Sequence, residues 1–222
     1  MSHHIDLDEL TASERYKLLT ALVIPRPIAW VTTVSSEGIT NAAPYSFFNV
    51  FGQDPAIIIL GLEHKADGTA KDTENNINTL NEFVVNLVSS DILEKMVQTA
   101  AAYAPGESEP DILGLSLTSS KKVKPPRLTN APVSIECERM MSLSLSRERS
   151  ILIGRAVGVF SKHFTLTGRI ITQSHVFLLI DMLKSKVFLY FRFQHIYQQK
   201  DVRLGNYSPS QREVFLHLSN HF

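Results

Sequence analysis

The sequence predicts a mainly β domain of the α+β class, in which several strands form a barrel and a few helices lie at its periphery. Three observations support this prediction. Short runs rich in β-branched residues recur over residues 25–160, helical spacing is confined to a few short segments, and no internal repeat or low-complexity tract interrupts the pattern. With 222 residues the chain is long enough for one well-buried core, so we expect a single domain over residues 1–222.

Composition and charge argue against several classes of protein. The chain has 22 basic and 22 acidic residues, and this zero net charge disfavours nonspecific nucleic-acid binding. The single cysteine, Cys137, cannot form an internal disulfide, and no cysteine–histidine pattern indicates a metal site. The polar N-terminus and the lack of an apolar run of ~20 residues predict neither a signal peptide nor a membrane span. We therefore expect a soluble, cytoplasmic protein.

Helical spacing predicts three helices. They cover about residues 6–23, 72–80 and 91–103. In the first, Thr11 followed three residues later by Glu14 is typical of a capping box. In the second, Asp72 or Thr73 is the expected N-cap, because short polar side chains accept hydrogen bonds from the first amides of a helix.

The strands of the barrel are predicted from the intervening runs. They cover about residues 28–34, 39–43, 55–62, 82–88, 133–138 and 151–160. The run at 55–62 is continuously apolar, which is typical of a strand buried on both faces. Gly154 and Gly158 predict β-bulges in the last strand. We interpret Cys137 as a core residue and residues 104–118, rich in Pro, Gly and Ser, as a surface loop or lid.

The opening hairpin leads into a polar and aromatic corner. Pro44 cannot donate to a ladder, so we expect Ala43–Ser46 to leave the sheet. The backbone amides and the Tyr45 and Ser46 hydroxyls would then be free beside the pair Phe47–Phe48, an arrangement that suits a flat ligand with polar edges. The alternative is an ordinary hairpin with a buried phenylalanine pair, and the spacing alone leaves both interpretations open.

A second candidate site lies at the start of the helix predicted at residue 72. Unpaired backbone amides and the helix dipole favour an anion there, and Lys71 would add positive charge. Thr73 would contribute a hydroxyl, with Asn76 close behind. The alternative is that Asp72 and Thr73 only cap the helix, because the glycines of a phosphate-binding loop are absent. No arrangement of side chains predicts a nucleophile or a general base, so we expect no catalytic side chain.

Taken in order, these stretches resemble the flavin reductase-like family, the FMN-binding split-barrel proteins that include flavoredoxin. The most specific blocks are residues 25–33 (PRPIAWVTT), 41–49 (NAAPYSFFN) and 71–73 (KDT), followed by 82–86, 125–127, 131–132, 135–137 and 153–158. The resemblance covers about residues 12–160. It favours the ligand-binding interpretation of the corner.

The resemblance implies a Greek-key split β-barrel, usually a homodimer, with FMN near the subunit interface. NADH or NADPH would pass hydride to the flavin, and electrons would go on to another flavin, to ferric iron or to a protein. The corner would contact the flavin ring and ribityl chain, with Lys71–Thr73 near the phosphate. The implied cofactor-binding residues are Arg26, Thr32, Asn41, Ala43, Pro44, Tyr45, Ser46, Phe47, Asn49, Lys71, Asp72, Thr73 and Asn76.

Two other hypotheses stay open. The chain could be an FMN-binding electron carrier or sensor without nicotinamide turnover, or a split-barrel interaction protein without a cofactor. The second is motivated by the C-terminal third, because the sequence departs from the family after about residue 162. Residues 203–207 (RLGNY) resemble a family turn in which Asn206 replaces a glycine, whereas residues 171–201 do not align. We interpret 165–222 as a divergent segment, and residues 171–201 within it as a lineage insertion or a translated unspliced intron.

Overall fold

The structure, a computed structural model, describes residues 3–104 and 106–162, together with the backbone of two short strands at 166–167 and 170–171. The turn predicted at 203–207 lies outside the described residues, as does the divergent segment apart from those two strands.

The described residues form four helices and eleven strands. The helices are α1 (Ala12–Leu22), α2 (Asp72–Leu80), α3 (Leu93–Gln98) and α4 (Glu109–Ile112). The strands are β1 (Ala29–Val34), β2 (Thr40–Tyr45), β3 (Phe48–Gln53), β4 (Ala56–Glu63), β5 (Glu82–Asn86), β6 (Leu117–Thr118), β7 (Arg127–Leu128), β8 (Val133–Ser146), β9 (Arg149–Ser161), β10 (Leu166–Thr167) and β11 (Ile170–Ile171).

Seven strands form one antiparallel sheet in the order β2-β1-β5-β8-β9-β4-β3. Strands β2 and β3 stand at opposite ends of this order, yet only Ser46 and Phe47 separate them in the chain. The sheet must therefore curl until its two ends meet, and the Gly61 N–H of β4 donates to the Phe47 carbonyl at 2.7 Å beside this gap. We call the gap between the β2 end and the β3–β4 end the split. The mainly β, α+β prediction is confirmed.

Strand β1 is buried on both faces because it lies between two hydrophobic clusters. Ala29 and Val31 belong to the cluster inside the barrel, which also contains Phe83 of β5. Trp30, 1% exposed, belongs to a second cluster that includes Met96 of α3. Strand β1 is thus held in place by packing on both of its faces.

Strand β4 differs from its prediction. Ile58, Leu60 and Leu62 are buried in the barrel, whereas the alternate residues Ile57 and Ile59 are partly exposed. The prediction that the 55–62 run is buried on both faces is wrong, because only one face of β4 packs on a core cluster. The run is apolar throughout because β-branched residues are also favoured on the outer, partly exposed face of a strand.

Pro44 remains in the sheet, opposite Trp30 of β1. The prediction that Ala43–Ser46 leave the sheet is therefore wrong for Ala43, Pro44 and Tyr45. Strand β2 is an edge strand, where proline is tolerated because one side of the strand has no ladder to complete. The chain leaves the sheet only at Ser46 and Phe47.

The helix ends agree in part with the predictions. Thr11 and Glu14 form the predicted capping box at α1, with the Thr11 N–H donating to Glu14 Oε2 at 2.8 Å. At α2 the N-cap is Lys71 rather than Asp72 or Thr73, so the hydroxyl of Thr73 is not used as a cap. Helix α3 ends at Gln98, before the predicted residue 103, and residues 99–103 continue as irregular chain.

The predicted bulge beside Gly158 is confirmed, because the pairing passes from Glu136–Gly158 to Cys137–Ala156 and leaves an extra residue in β9. The one predicted at Gly154 is wrong for β9, because the pairing there passes from Arg139–Gly154 to Met141–Ile153 and the extra residue belongs to β8. A Cβ atom at Gly154 would lie 2.5 Å from Phe83 Cζ, so the close approach of β9 to the core requires glycine there. Cys137 is fully buried in the barrel as predicted, and burial raises the pKa of its thiol well above the usual range. Among the described residues, no helix has the length and apolar character needed to cross a membrane.

Candidate functional site

A cavity of about 520 Å³ opens at the split of the barrel. Strand β2 and the Ser46–Phe47 link line one side, Gly61 and Glu63 of β4 another, and the start of α2 a third. Helix α3 and residues 99–103 complete the wall. The volume lies within the range of about 300–1,000 Å³ that is typical of small-molecule sites.

Ten of the thirteen residues predicted to bind a cofactor line this cavity. They are Arg26, Asn41, Ala43, Pro44, Tyr45, Ser46, Phe47, Lys71, Asp72 and Thr73. The two candidate sites of the sequence, the corner and the start of the second helix, are therefore parts of one cavity. Strands β3 and β4 separate them in the chain, and the curvature of the sheet brings them together.

The other three predicted residues do not line the cavity. The Thr32 hydroxyl donates to the Pro126 carbonyl at 2.6 Å and joins β1 to the loop before β7. Asn76 Nδ2 donates to Thr33 Oγ1 at 3.1 Å and ties α2 to β1. Asn49 is exposed on β3, where its Oδ1 accepts from the next backbone N–H at 2.8 Å. In this structure the first two hold the framework around the cavity.

One wall of the cavity combines aromatic rings with guanidinium groups. The ring centre of Phe47 lies 5.8 Å from Arg26 Cζ and 5.2 Å from Arg149 Cζ. Tyr16 of α1 meets Phe47 edge to face, with 6.0 Å between ring centres. Gly61 allows this packing, because a Cβ atom there would lie 3.0 Å from Phe47 Cβ. The result is a flat, cationic and apolar surface that suits a planar anionic or electron-rich ligand.

Charged side chains of both signs lie along the cavity. Lys71 Nζ and Arg149 Nη2 approach the same carboxylate, Glu63, at 3.7 and 3.4 Å, and Lys65 Nζ lies 3.6 Å from Asp72. These pairs are partly exposed, so each contributes little to stability and can be exchanged for a ligand charge. Among the described residues, four cations and three carboxylates line the cavity, which leaves one net positive charge.

The first turn of α2 is held in place by a buried carboxylate. Glu74 Oε1 accepts from the Ser150 hydroxyl of β9 at 2.6 Å, and its Oε2 lies 3.1 Å from His64 Nε2. The other ring nitrogen of His64 lies 2.8 Å from the Arg147 carbonyl. Because these contacts come from the chain after β4 and from the β8–β9 hairpin, they fix the start of α2, and with it Thr73, against the barrel.

A chain of hydrogen-bonded, buried polar side chains runs along the cavity wall from α4 to α2. Glu109 is 7% exposed, and its Oε2 accepts from the Ala42 N–H at 3.0 Å. In the amide orientation that satisfies every neighbour, Asn41 Nδ2 donates to Glu109 Oε1 at 3.1 Å and Asn41 Oδ1 accepts from the Thr73 hydroxyl at 2.8 Å. Burial raises the pKa of the Glu109 carboxyl, and the Ala42 N–H opposes this shift. Burial also raises the pKa of the Tyr45 phenol, which lines the same cavity, well above its usual range.

Fourteen further residues line the cavity that the sequence did not indicate. They are Tyr16, Ile28, Gly61, Glu63, Lys65, Met96, Val97, Thr99, Ala100, Ala101, Ala102, Tyr103, Glu109 and Arg149. Most belong to segments that were interpreted as helix faces or core strands. Glu109 falls in the 104–118 stretch that predicts a surface loop, where one more acidic residue carries no signal of burial. In the structure this stretch contains α4 and directs Glu109 inwards.

No cluster of histidine, cysteine or carboxylate side chains in the described part of the chain could hold a metal ion.

The family model for the flavin reductase like domain matches residues 21–167 of the chain. The chain therefore belongs to the flavin reductase-like family, as its motifs indicate. Its seven-stranded curled sheet with peripheral helices is the split β-barrel of that family. The fold predicted from the resemblance is confirmed.

Three similar proteins were compared with this chain, two of which have a named activity. An uncharacterized protein of Aquifex aeolicus is 46% identical over 123 residues, which make up 55% of this chain and 63% of that protein. The structure of 2-nitrobenzoate 2-nitroreductase from Pseudomonas fluorescens is 39% identical, covers 72% of this chain and 77% of its own, and has a TM-score of 0.66. That of nitrilotriacetate monooxygenase component B from Bacillus cereus is 34% identical, covers 77% and 87%, and has a TM-score of 0.72. Family and neighbours together support a flavin-related oxidoreductase.

Proposed function

We propose that the protein is an FMN-dependent oxidoreductase that takes hydride from NADH or NADPH and passes electrons to another flavin, to ferric iron or to a protein acceptor. The observation that carries this proposal is the cavity at the split, which gathers ten of the thirteen predicted cofactor-binding residues. A bound flavin supplies the hydride-accepting ring system, and the side chains of the cavity bind, orient and shield it.

The residues present fit the two chemically different ends of FMN. Phe47 and the backbone of the corner offer a flat surface with polar edges for the ring, with the Ser46 hydroxyl beside it. Lys71 and Arg149, which share Glu63, offer positive charge for a phosphate at the other end. Met96 and the small side chains of residues 100–102 narrow the access of water.

We also propose that the protein works as a homodimer in the cytoplasm. Apolar side chains are exposed on the outside of the barrel, among them Val50 and Phe51 of β3, 61% and 66% exposed. Met140 and Leu145 of β8 are 52% and 60% exposed. Large exposed apolar groups of this kind mark contacts between proteins. Sedimentation velocity tests the dimer, and a monomer at all concentrations would contradict it.

The function is tested on the purified full-length chain. We expect a yellow protein, or one that becomes yellow on adding FMN, with flavin absorbance near ~450 nm that bleaches when NADH or NADPH is added without oxygen. Lys71→Ala is expected to weaken FMN binding about tenfold, the loss of one charge-assisted contact, whereas the exposed control Lys122→Ala leaves it unchanged. A chain that takes up no flavin contradicts the proposal.

A specific comparison favours one acceptor for the same assay. The 39% identity to 2-nitrobenzoate 2-nitroreductase makes 2-nitrobenzoate the first organic acceptor to offer after reduction. Reoxidation by 2-nitrobenzoate under anaerobic conditions would indicate direct reduction of an organic substrate. Bound flavin that neither nicotinamide reduces would instead indicate an electron carrier or a sensor.

A further inference from the structure

The buried chain Glu109–Asn41–Thr73 has a defined direction. Glu109, as a carboxylate, can only accept, so the Asn41 amide must turn its Nδ2 towards it. Asn41 Oδ1 then faces Thr73 Oγ1 at 2.8 Å and takes the single hydroxyl hydrogen of Thr73.

The direction of these hydrogen bonds determines which groups of a ligand can bond to this part of the cavity wall. The Thr73 hydroxyl hydrogen points to Asn41 and not into the cavity that Thr73 lines. A ligand group that reaches Thr73 Oγ1 therefore meets an oxygen lone pair. We infer that Glu109 is a positioning residue, which makes this wall an acceptor surface that favours hydroxyl and N–H groups of the ligand over a phosphate. The inference rests on the proposed flavin-binding function.

The contact with Ala42 fixes which atom of residue 109 must be an acceptor. Ala42 N–H requires an acceptor, and Glu109 Oε2 supplies it at 3.0 Å. With glutamine at 109, Oε1 keeps that bond and the amide NH₂ faces Asn41. Asn41 must then turn its carbonyl to residue 109 and its amide nitrogen to Thr73. The Thr73 hydroxyl hydrogen is released and can point into the cavity.

The test compares FMN with riboflavin, which differ only in the phosphate. We expect E109Q to raise the ratio of the riboflavin Kd to the FMN Kd about tenfold, the effect of one new hydrogen bond to a charged group. The control E107Q removes an exposed carboxylate of the same loop, which accepts from the Ala104 N–H, and leaves the ratio within about twofold. A merely structural role of Glu109 would weaken both flavins equally.

A second variant restores the direction of the hydrogen bonds while residue 109 remains glutamine. In Asn41→Asp combined with Glu109→Gln, the carboxylate at 41 accepts from both residue 109 and Thr73, so the Thr73 hydroxyl points away from the cavity again. We expect the flavin ratio to return to within about twofold of the wild type. This double variant also carries the test if E109Q alone does not fold.

The outcomes separate the two proposals. If the wild type binds neither flavin, the proposed function fails. If the wild type binds FMN but E109Q leaves the ratio unchanged, or the double variant folds and keeps the altered ratio, the assignment of Glu109 alone is overturned. A double variant that does not fold overturns it as well, because a chain with its direction restored has every polar group satisfied.

Discussion

At the scale of single residues, one buried and fully bonded amide, that of Asn86, joins several strands of the barrel. Asn86 has no exposed surface, and its Nδ2 donates to the Trp30 carbonyl at 3.0 Å and to Thr32 Oγ1 at 3.2 Å. Its Oδ1 accepts from the Leu128 N–H at 3.0 Å and from the Ser134 hydroxyl at 2.8 Å. One amide thus joins four segments of the chain next to the candidate site.

We expect Asn86→Ala to lower the free energy of unfolding by about 2–4 kcal/mol, because it leaves several buried partners without a hydrogen bond. Chemical denaturation with urea measures the change. The control is Asn49→Ala, which removes an exposed amide with one local bond and is expected to cost less than about 0.5 kcal/mol. Equal losses in the two variants would contradict the role assigned to Asn86.

At the scale of elements, α1 connects the N-terminal segment to the cavity. Its Tyr16 packs on Phe47, and Arg26 Nη1 donates to the Thr20 carbonyl at 2.6 Å near the end of the helix. Much of the helix surface is exposed, including Leu22 at 69%. Because α1 buries little of its own surface, its order depends strongly on its ends.

Removing the cap is therefore expected to affect the cavity more than the barrel. Thr11→Ala should cost about 1 kcal/mol of helix stability and weaken flavin binding severalfold, because Tyr16 loses its fixed position. Hydrogen exchange of the α1 amides and a flavin titration measure the two effects. The control Thr79→Ala, on the exposed side of α2, is expected to leave flavin binding unchanged. An unchanged flavin affinity in Thr11→Ala would exclude α1 from the site.

At the scale of the whole molecule, the sequence predicted the class of fold and most strand positions, because alternation and turn residues are local signals. It did not predict which strand is buried on both faces. That property belongs to β1, whose faces pack on different clusters, and not to the more apolar β4. Nor did it predict that Pro44 stays in the sheet, since the edge position of β2 depends on the order of all seven strands.

The candidate site was predicted where its residues form compact motifs. Residues 41–47 and 71–73 line the cavity for the most part, as the resemblance implied. Glu109 and Arg149 were missed because each comes from a segment distant in sequence and reaches the cavity only after folding. Thr32 and Asn76 stand within or beside the motifs, yet their side chains bond the framework. A residue within or beside a motif in the sequence therefore need not line the cavity.

Because the cavity lies at the split, a bound ligand contacts both ends of the sheet and should stabilise the whole barrel. We expect FMN at a hundredfold excess over its Kd to raise the free energy of unfolding by about 2.7 kcal/mol, as linkage requires for binding to the folded state alone. Thermal unfolding at several FMN concentrations measures this. If the protein binds FMN but its melting temperature does not depend on the FMN concentration, binding does not require the folded split, and the prediction is contradicted.

The bond from the Ala42 N–H to Glu109 has a consequence beyond ligand recognition. Ala42 lies on β2, an edge strand, and an unpaired edge amide can recruit a strand from another molecule. Helix α4 occupies that amide with a side chain that cannot extend the sheet. We therefore expect Glu109 to hinder edge-to-edge pairing of β2 as well as to orient the cavity wall, so its replacement should lower solubility as well as change the site.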